Sequence, residues 1–188
     1  MIDFIIQDIT RYLTKYIESA VIVATVFALS RFVAALFLML GNKRRYYWKK
    51  WLKILISLPV DFAAVFYVFM VVVITFFSRM EGSTDVVNTQ LFSTFRPDLA
   101  SRLYIVENVV MFIPLGGFLR WYGVKHFWMG VPLIIGSSTA IEMMQYLTGR
   151  GRMEVDDILT NTIGGLIGFI VMKLVFGIKH VVQKRSLK

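Results

Sequence analysis

The chain has 188 residues, 57% of them hydrophobic, a net charge of +9 and no cysteine. With a positive mean hydropathy, it carries more apolar residues than one soluble core of this length needs, which places it among integral membrane proteins. Disulfides, thiolate nucleophiles and thiolate metal sites are excluded, and His126 and His180 alone leave little scope for a zinc centre.

The first element, residues 4–17, sets Ile5, Ile9, Tyr12, Leu13 and Tyr16 at helical spacing with Asp3, Gln7, Asp8 and Arg11 between them. That is the pattern of an amphipathic helix lying in the membrane interface. Acidic residues lead it and no cleavable small-residue motif follows a basic start, so it does not read as a signal peptide. Four segments then reach the ~20 apolar residues that a hydrocarbon core of ~30 Å requires: 17–40, 54–78, 127–147 and 158–177. A fifth, 108–122, is shorter, contains Pro114 and Gly116-Gly117, and is expected to gain a turn at its start. A re-entrant or kinked element would suit it. The expected fold is an all-α polytopic membrane protein with five transmembrane helices plus the N-terminal amphipathic helix. Residues 1–53 then hold that helix, the first span and a basic cytoplasmic loop, 54–177 a four-helix core, and 178–188 a basic cytoplasmic tail.

Orientation follows from charge, because cytoplasmic loops collect Lys and Arg. Lys43, Arg44, Arg45, Lys49, Lys50 and Lys53 stand together without an acid; Arg120 and Lys125 flank the next loop on that side, and Lys179, Lys184, Arg185 and Lys188 the tail. The opposite side carries most of the acids. The N-terminus is expected outside and the C-terminus in the cytoplasm of a bacterial cell. The net charge is then a topology signal and an attraction to anionic inner-leaflet lipids, not a nucleic-acid interface. Trp48 and Trp51, with Tyr46 and Tyr47 among the lysines, read as an interfacial aromatic belt.

This orientation gathers polar residues in the outer half. Arg79 closes the second span, Glu107-Asn108 opens the third, Glu142 and Gln145 end the fourth, Arg150, Arg152 and Glu154 lie in the following loop, and Asp156, Asp157 and Asn161 begin the fifth. Glu142 and Gln145 share a helix face with Ser138, as do Asp157, Asn161 and Gly164. Gly164, Gly165 and Gly168 would let the fifth helix approach its neighbours closely. Charged groups near hydrocarbon are costly, so such a cluster is a functional-site hypothesis by default. Within the inner half, Arg31 and Asp61 fall roughly 4 Å and roughly 7 Å from the span midpoints, and are expected to pair, since unpaired charges there are expensive. Leu91, Phe92 and Phe95 in the outer loop are expected to pack on the bundle; the alternative is that they dip into the outer leaflet.

These residues resemble the VanZ-like family of bacterial membrane proteins, whose founding member is linked to resistance to the lipoglycopeptide teicoplanin. The resemblance rests on Arg79 after an aromatic-rich span, on Asn108-x-x-x-Phe112-x-Pro114-x-Gly116, on Glu142-x-x-Gln145, and on Arg152-x-Glu154-x-x-Asp157-x-x-x-Asn161-x-x-Gly164. It covers residues 54–177, making them a VanZ-like core with an N-terminal addition. The stretch Asn88 to Phe92 is similar to the family's Asn-Leu-x-Pro-Phe element, with Gln90 and Leu91 where a proline is usual, and Glu154 stands in place of a common aspartate. The resemblance implies a role in glycopeptide or lipoglycopeptide resistance.

On chemistry, Ser137 and Ser138 lie in the outer half and both histidines inside, so a Ser-His-Asp arrangement cannot assemble. Glu142, Glu154, Asp156 and Asp157 carry the oxygen ligands that Mg²⁺ or Ca²⁺ takes, but Arg150 and Arg152 in the same loop argue against a metal. No cofactor is expected. Glu142 and Asp157 are the best acid–base candidates if a reaction occurs; non-enzymatic binding is the favoured reading. The expected partners are membrane lipids and a lipid-linked cell-wall molecule, whose phosphate would suit arginine forks and whose hydroxyls or amine would suit carboxylates and amides. The alternatives are a small-solute or lipid transporter or channel, and a structural scaffold in which the same groups form an interhelical network.

Overall fold

The computed structural model describes residues 2–40, 44–77 and 87–186 and divides into two compact units, residues 1–78 and 79–188. Five helices are long and apolar enough to cross a membrane among the described residues, so the chain is an all-α membrane protein.

In the first unit, α1 runs Ile2–Leu40 and α2 runs Arg44–Val72. The expected interfacial helix and first span are one continuous helix of 39 residues. The reason is local: no glycine or proline occurs before Gly41 to break it. At 1.5 Å per residue it reaches about 58 Å, roughly twice the hydrocarbon thickness, so several turns extend beyond the bilayer. Likewise the basic run after Lys43 is the opening of α2 rather than a loop. Pro59 lies inside α2 without ending it, and a π-helical turn, Val73–Phe77, closes it. Along α1 the side chains of Ala20, Ala24 and Ala35 are buried, small enough for helices to pack closely. The expected ion pair is present. Arg31 Nη2 lies 3.1 Å from Asp61 Oδ2, and Ser57 Oγ accepts from Arg31 at 3.3 Å and donates to Asp61 at 2.9 Å.

In the second unit, α3 runs Leu99–Trp121, α4 Phe127–Leu147 and α5 Val155–Ser186. Two short strands, β1 (Val87–Asn88) and β2 (Met153–Glu154), pair in parallel, Val87 with Met153 and Asn88 with Glu154. The third span starts nine residues before the expected Asn108. Asp98 caps it by accepting from Ser101 N at 3.0 Å, and Ser101 Oγ bonds the other carboxylate oxygen. The backbone N–H of Ser101, then its hydroxyl, hold the Asp98 carboxyl below its usual value. Arg102 and Glu107 dilute the hydropathy of 99–107 without weakening its helix propensity. Pro114 lies inside α3, which runs unbroken over 23 residues, as the expected fifth span requires.

Two parallel helices, α3 and α5, form the tightest contact. A Cβ on Gly164 would meet Val109 O at 2.0 Å and one on Gly168 would meet Ile113 O at 1.8 Å. Backbone thus lies directly on backbone, which only glycine permits. The chain's alternation puts the N-terminal ends of α3 and α5 beside the C-terminal end of α4, and the polar cluster gathers at this end.

Candidate functional site

The cluster is organised from α5. Asp157, in its first turn, accepts from Tyr104 Oη at 2.5 Å and from Asn108 Nδ2 at 2.9 Å, two donors one turn apart on α3. One turn further along α5, Asn161 Nδ2 donates to Ser138 Oγ of α4 at 2.9 Å. On the same α4 face, Glu142 Oε2 accepts from the backbone N–H of Glu154 at 3.1 Å. Asn108, Ser138, Glu142, Gln145, Asp157 and Asn161 are all buried. Asn161 Oδ1 is buried without a hydrogen-bond partner among the described residues, an acceptor that hydrocarbon would leave unsatisfied.

Asp156 does something else. Successive helical residues point about 100° apart, so Asp156 turns away from Asp157 and toward the loop after β1. Its Oδ1 accepts from Phe92 N at 2.6 Å, and its Oδ2 from Thr94 N at 2.9 Å, Thr94 Oγ1 at 2.7 Å and Ser93 Oγ at 3.3 Å. It therefore clamps this loop, while Asp157 accepts from α3. Asn88 shapes the same loop: its Oδ1 accepts from Gln90 N at 3.1 Å and its Nδ2 donates to Ser93 Oγ at 2.8 Å. Phe92 is held at φ +64°, a left-handed conformation that costs a non-glycine residue on the order of 1 kcal/mol. Leu91, Phe92 and Phe95 are exposed, contrary to the expected packing on the bundle, because the clamp fixes the loop's backbone and turns these side chains outward.

Arg150 is half-buried and Arg152 exposed. The turn that carries them is a Schellman close of α4: Gly149 has φ +64°, Gly149 N bonds Tyr146 O at 3.1 Å and Arg150 N bonds Gln145 O at 3.0 Å. Glu154 contributes through its backbone, linking Glu142 to the strand pair. Arg79 lies outside the described residues. Among the described residues, no three acidic or imidazole side chains are grouped so as to hold a metal ion.

The order of these parts is matched elsewhere. Residues 62–176, more than half of the chain, match the VanZ/LLP1 family. The chain belongs to the VanZ-like family. It is similar to Protein VanZ of Enterococcus faecium, 31% identical over 84 residues, a stretch amounting to 43% of this chain and 50% of that relative. The match thus spans half the relative's length. No solved structure matches the chain. Within the VanZ-like region, Asn108 meets Asp157 and Asn161 meets Ser138, Glu142 and Gln145 are buried on the α4 face that carries Ser138, and Asp156 and the backbone of Glu154 serve the loop and strand pair. Tyr104, Ser93 and Thr94 are the participants that sequence reasoning missed. Tyr104 stands four residues before Asn108, a helical spacing that was legible once α3 is begun at Leu99.

Proposed function

We propose that this VanZ-like protein recognises the headgroup of a lipid or lipid-linked cell-envelope component in the outer leaflet, and through it contributes to glycopeptide or lipoglycopeptide resistance, teicoplanin included. The supporting observation is the buried group of two carboxylates and three amides at one end of the α3–α4–α5 bundle, with the Asn161 Oδ1 acceptor unsatisfied among the described residues. Carboxylates and amides complement hydroxyls or an amine, and Arg150 and Arg152, in the adjoining turn, complement a phosphate. The charge distribution supports placing this end, and the N-terminus, on the outer face of the cytoplasmic membrane.

Binding without bond-making is the reading adopted. The test is mass spectrometry of lipid co-purified with gently solubilised protein, wild type against Glu142→Gln, Arg152→Lys and Asp157→Asn. A phosphate-bearing glycolipid enriched in the wild type and lost in the three variants at normal protein abundance is the expected result. Bulk phospholipid alone in all four, with resistance intact, overturns the proposal. If the cluster is only interhelical glue, loss of function will follow loss of folded protein, since an uncompensated buried partner costs ~3–5 kcal/mol.

A further inference from the structure

The loop between β1 and α3 is held apart from the buried group around Asp157, by a neighbouring carboxylate. Four hydrogen bonds reach one buried carboxylate, Asp156, and the backbone at Phe92 is held in a conformation its side chain disfavours. The result is outward display of Leu91, Phe92 and Phe95, at 53%, 62% and 42% exposure, with the last two rings edge to face at 5.3 Å. Burying such groups in water-excluded surroundings is favourable, and displaying them is not. A clamp that spends hydrogen bonds on display implies a permanent apolar neighbour.

The height of the loop identifies that neighbour. Asp156 is the second residue of α5, whose membrane-spanning stretch begins at Val155, so the atoms it binds sit at the end of a span. The chain leaves the loop through Pro97 and Asp98 into α3, whose first residue, Leu99, is an exposed apolar side chain opening another span. Leu147, the last residue of α4, is likewise exposed at the same end. The loop's apolar side chains are therefore continuous with the lipid-facing belt of the spans. We infer that residues 91–95 form an interfacial anchor in which Leu91, Phe92 and Phe95 are immersed in the bilayer at the level of the α5 N-terminus, with Asp156 as the positioning residue. The occupant is lipid acyl chain, not a protein groove, and the inference holds whatever the polar cluster binds.

The chain's lack of cysteine makes the test direct. Single cysteines at Leu91, Phe92, Phe95, Leu147 and the exposed Asp98 are spin-labelled in the full-length protein, reconstituted in vesicles of phosphatidylethanolamine and phosphatidylglycerol. Collision rates with oxygen and with a water-soluble nickel chelate are then compared. Labels at 91, 92 and 95 should favour oxygen severalfold over the label at 98 and approach the ratio at 147. Nickel access at 92 equal to that at 98 overturns the inference and points to a soluble partner; shielding from both reagents overturns it in favour of contact with a second copy. In the Asp156→Asn background the label at 92 should shift toward nickel. Failure of that variant to fold leaves the measurement with Asp156 intact as the deciding one.

Discussion

Replacing Arg31 or Asp61 by alanine should destabilise the first unit unequally, and the inequality follows from exposure. The Asp61 side chain is 2% exposed and that of Arg31 40%. Removing Arg31 leaves a buried carboxylate bereft of its guanidinium, a loss of ~3–5 kcal/mol for a broken buried pair, toward the lower end because Ser57 Oγ still donates at 2.9 Å. Removing Asp61 leaves a cation that can reach toward a wetter level along its flexible stem, and the cost falls to ~1–3 kcal/mol, that of an unmet polar group. In the double variant neither charge is stranded, so its loss should fall short of the sum of the two by on the order of 2 kcal/mol. The assay is a double-mutant cycle from unfolding in mixed micelles of increasing sodium dodecyl sulfate content, followed by circular dichroism. Losses that simply add, or a greater loss from Asp61→Ala than from Arg31→Ala, would refute the reasoning.

Other expectations follow from single contacts. Gly168→Ala, whose new methyl would lie 1.8 Å from Ile113 O, should cost at least ~1–3 kcal/mol through overpacking; Gly136→Ala in α4, with nothing within 4 Å, should be neutral or gain ~0.5–1 kcal/mol in the same unfolding assay. Because the Asp98 carboxyl is held below its ordinary value of 3.8, its support of the α3 start is fully present above that value and is lost as pH falls through the lower folded one; hydrogen exchange at the Ser101 amide should speed up only in that acid range, and Asp98→Ala should remove the dependence. For orientation, single cysteines at Lys50 and Ser186 should resist an impermeant thiol reagent in intact cells while one at Met153 reacts, and labelling at Lys50 would reverse the assignment of faces.

The polar residues at one end of the bundle are legible in the amino-acid sequence, since Asn108, Glu142, Gln145, Asp157 and Asn161 recur at helical spacing beside apolar runs, and charge so near hydrocarbon has few tolerable arrangements. The same cost argument pairs Arg31 with Asp61 across two helices. Span number likewise needs only a sum of apolar residues against a bilayer thickness. What the sequence could not assign was direction and boundary. Whether Asp156 or Asp157 faces the cluster depends on α5's rotation about its axis, which the Gly164 and Gly168 contacts with Val109 and Ile113 set. The start of α3 depends on a cap at Asp98 that hydropathy does not register, and with it the role of Tyr104. Outward display of Phe92 comes from long-range hydrogen bonds between residues more than sixty positions apart, a pairing that local propensity does not encode. A charge near hydrocarbon needs a partner in any packing arrangement, so sequence alone could say that these groups must be partnered; only tertiary packing decided with whom.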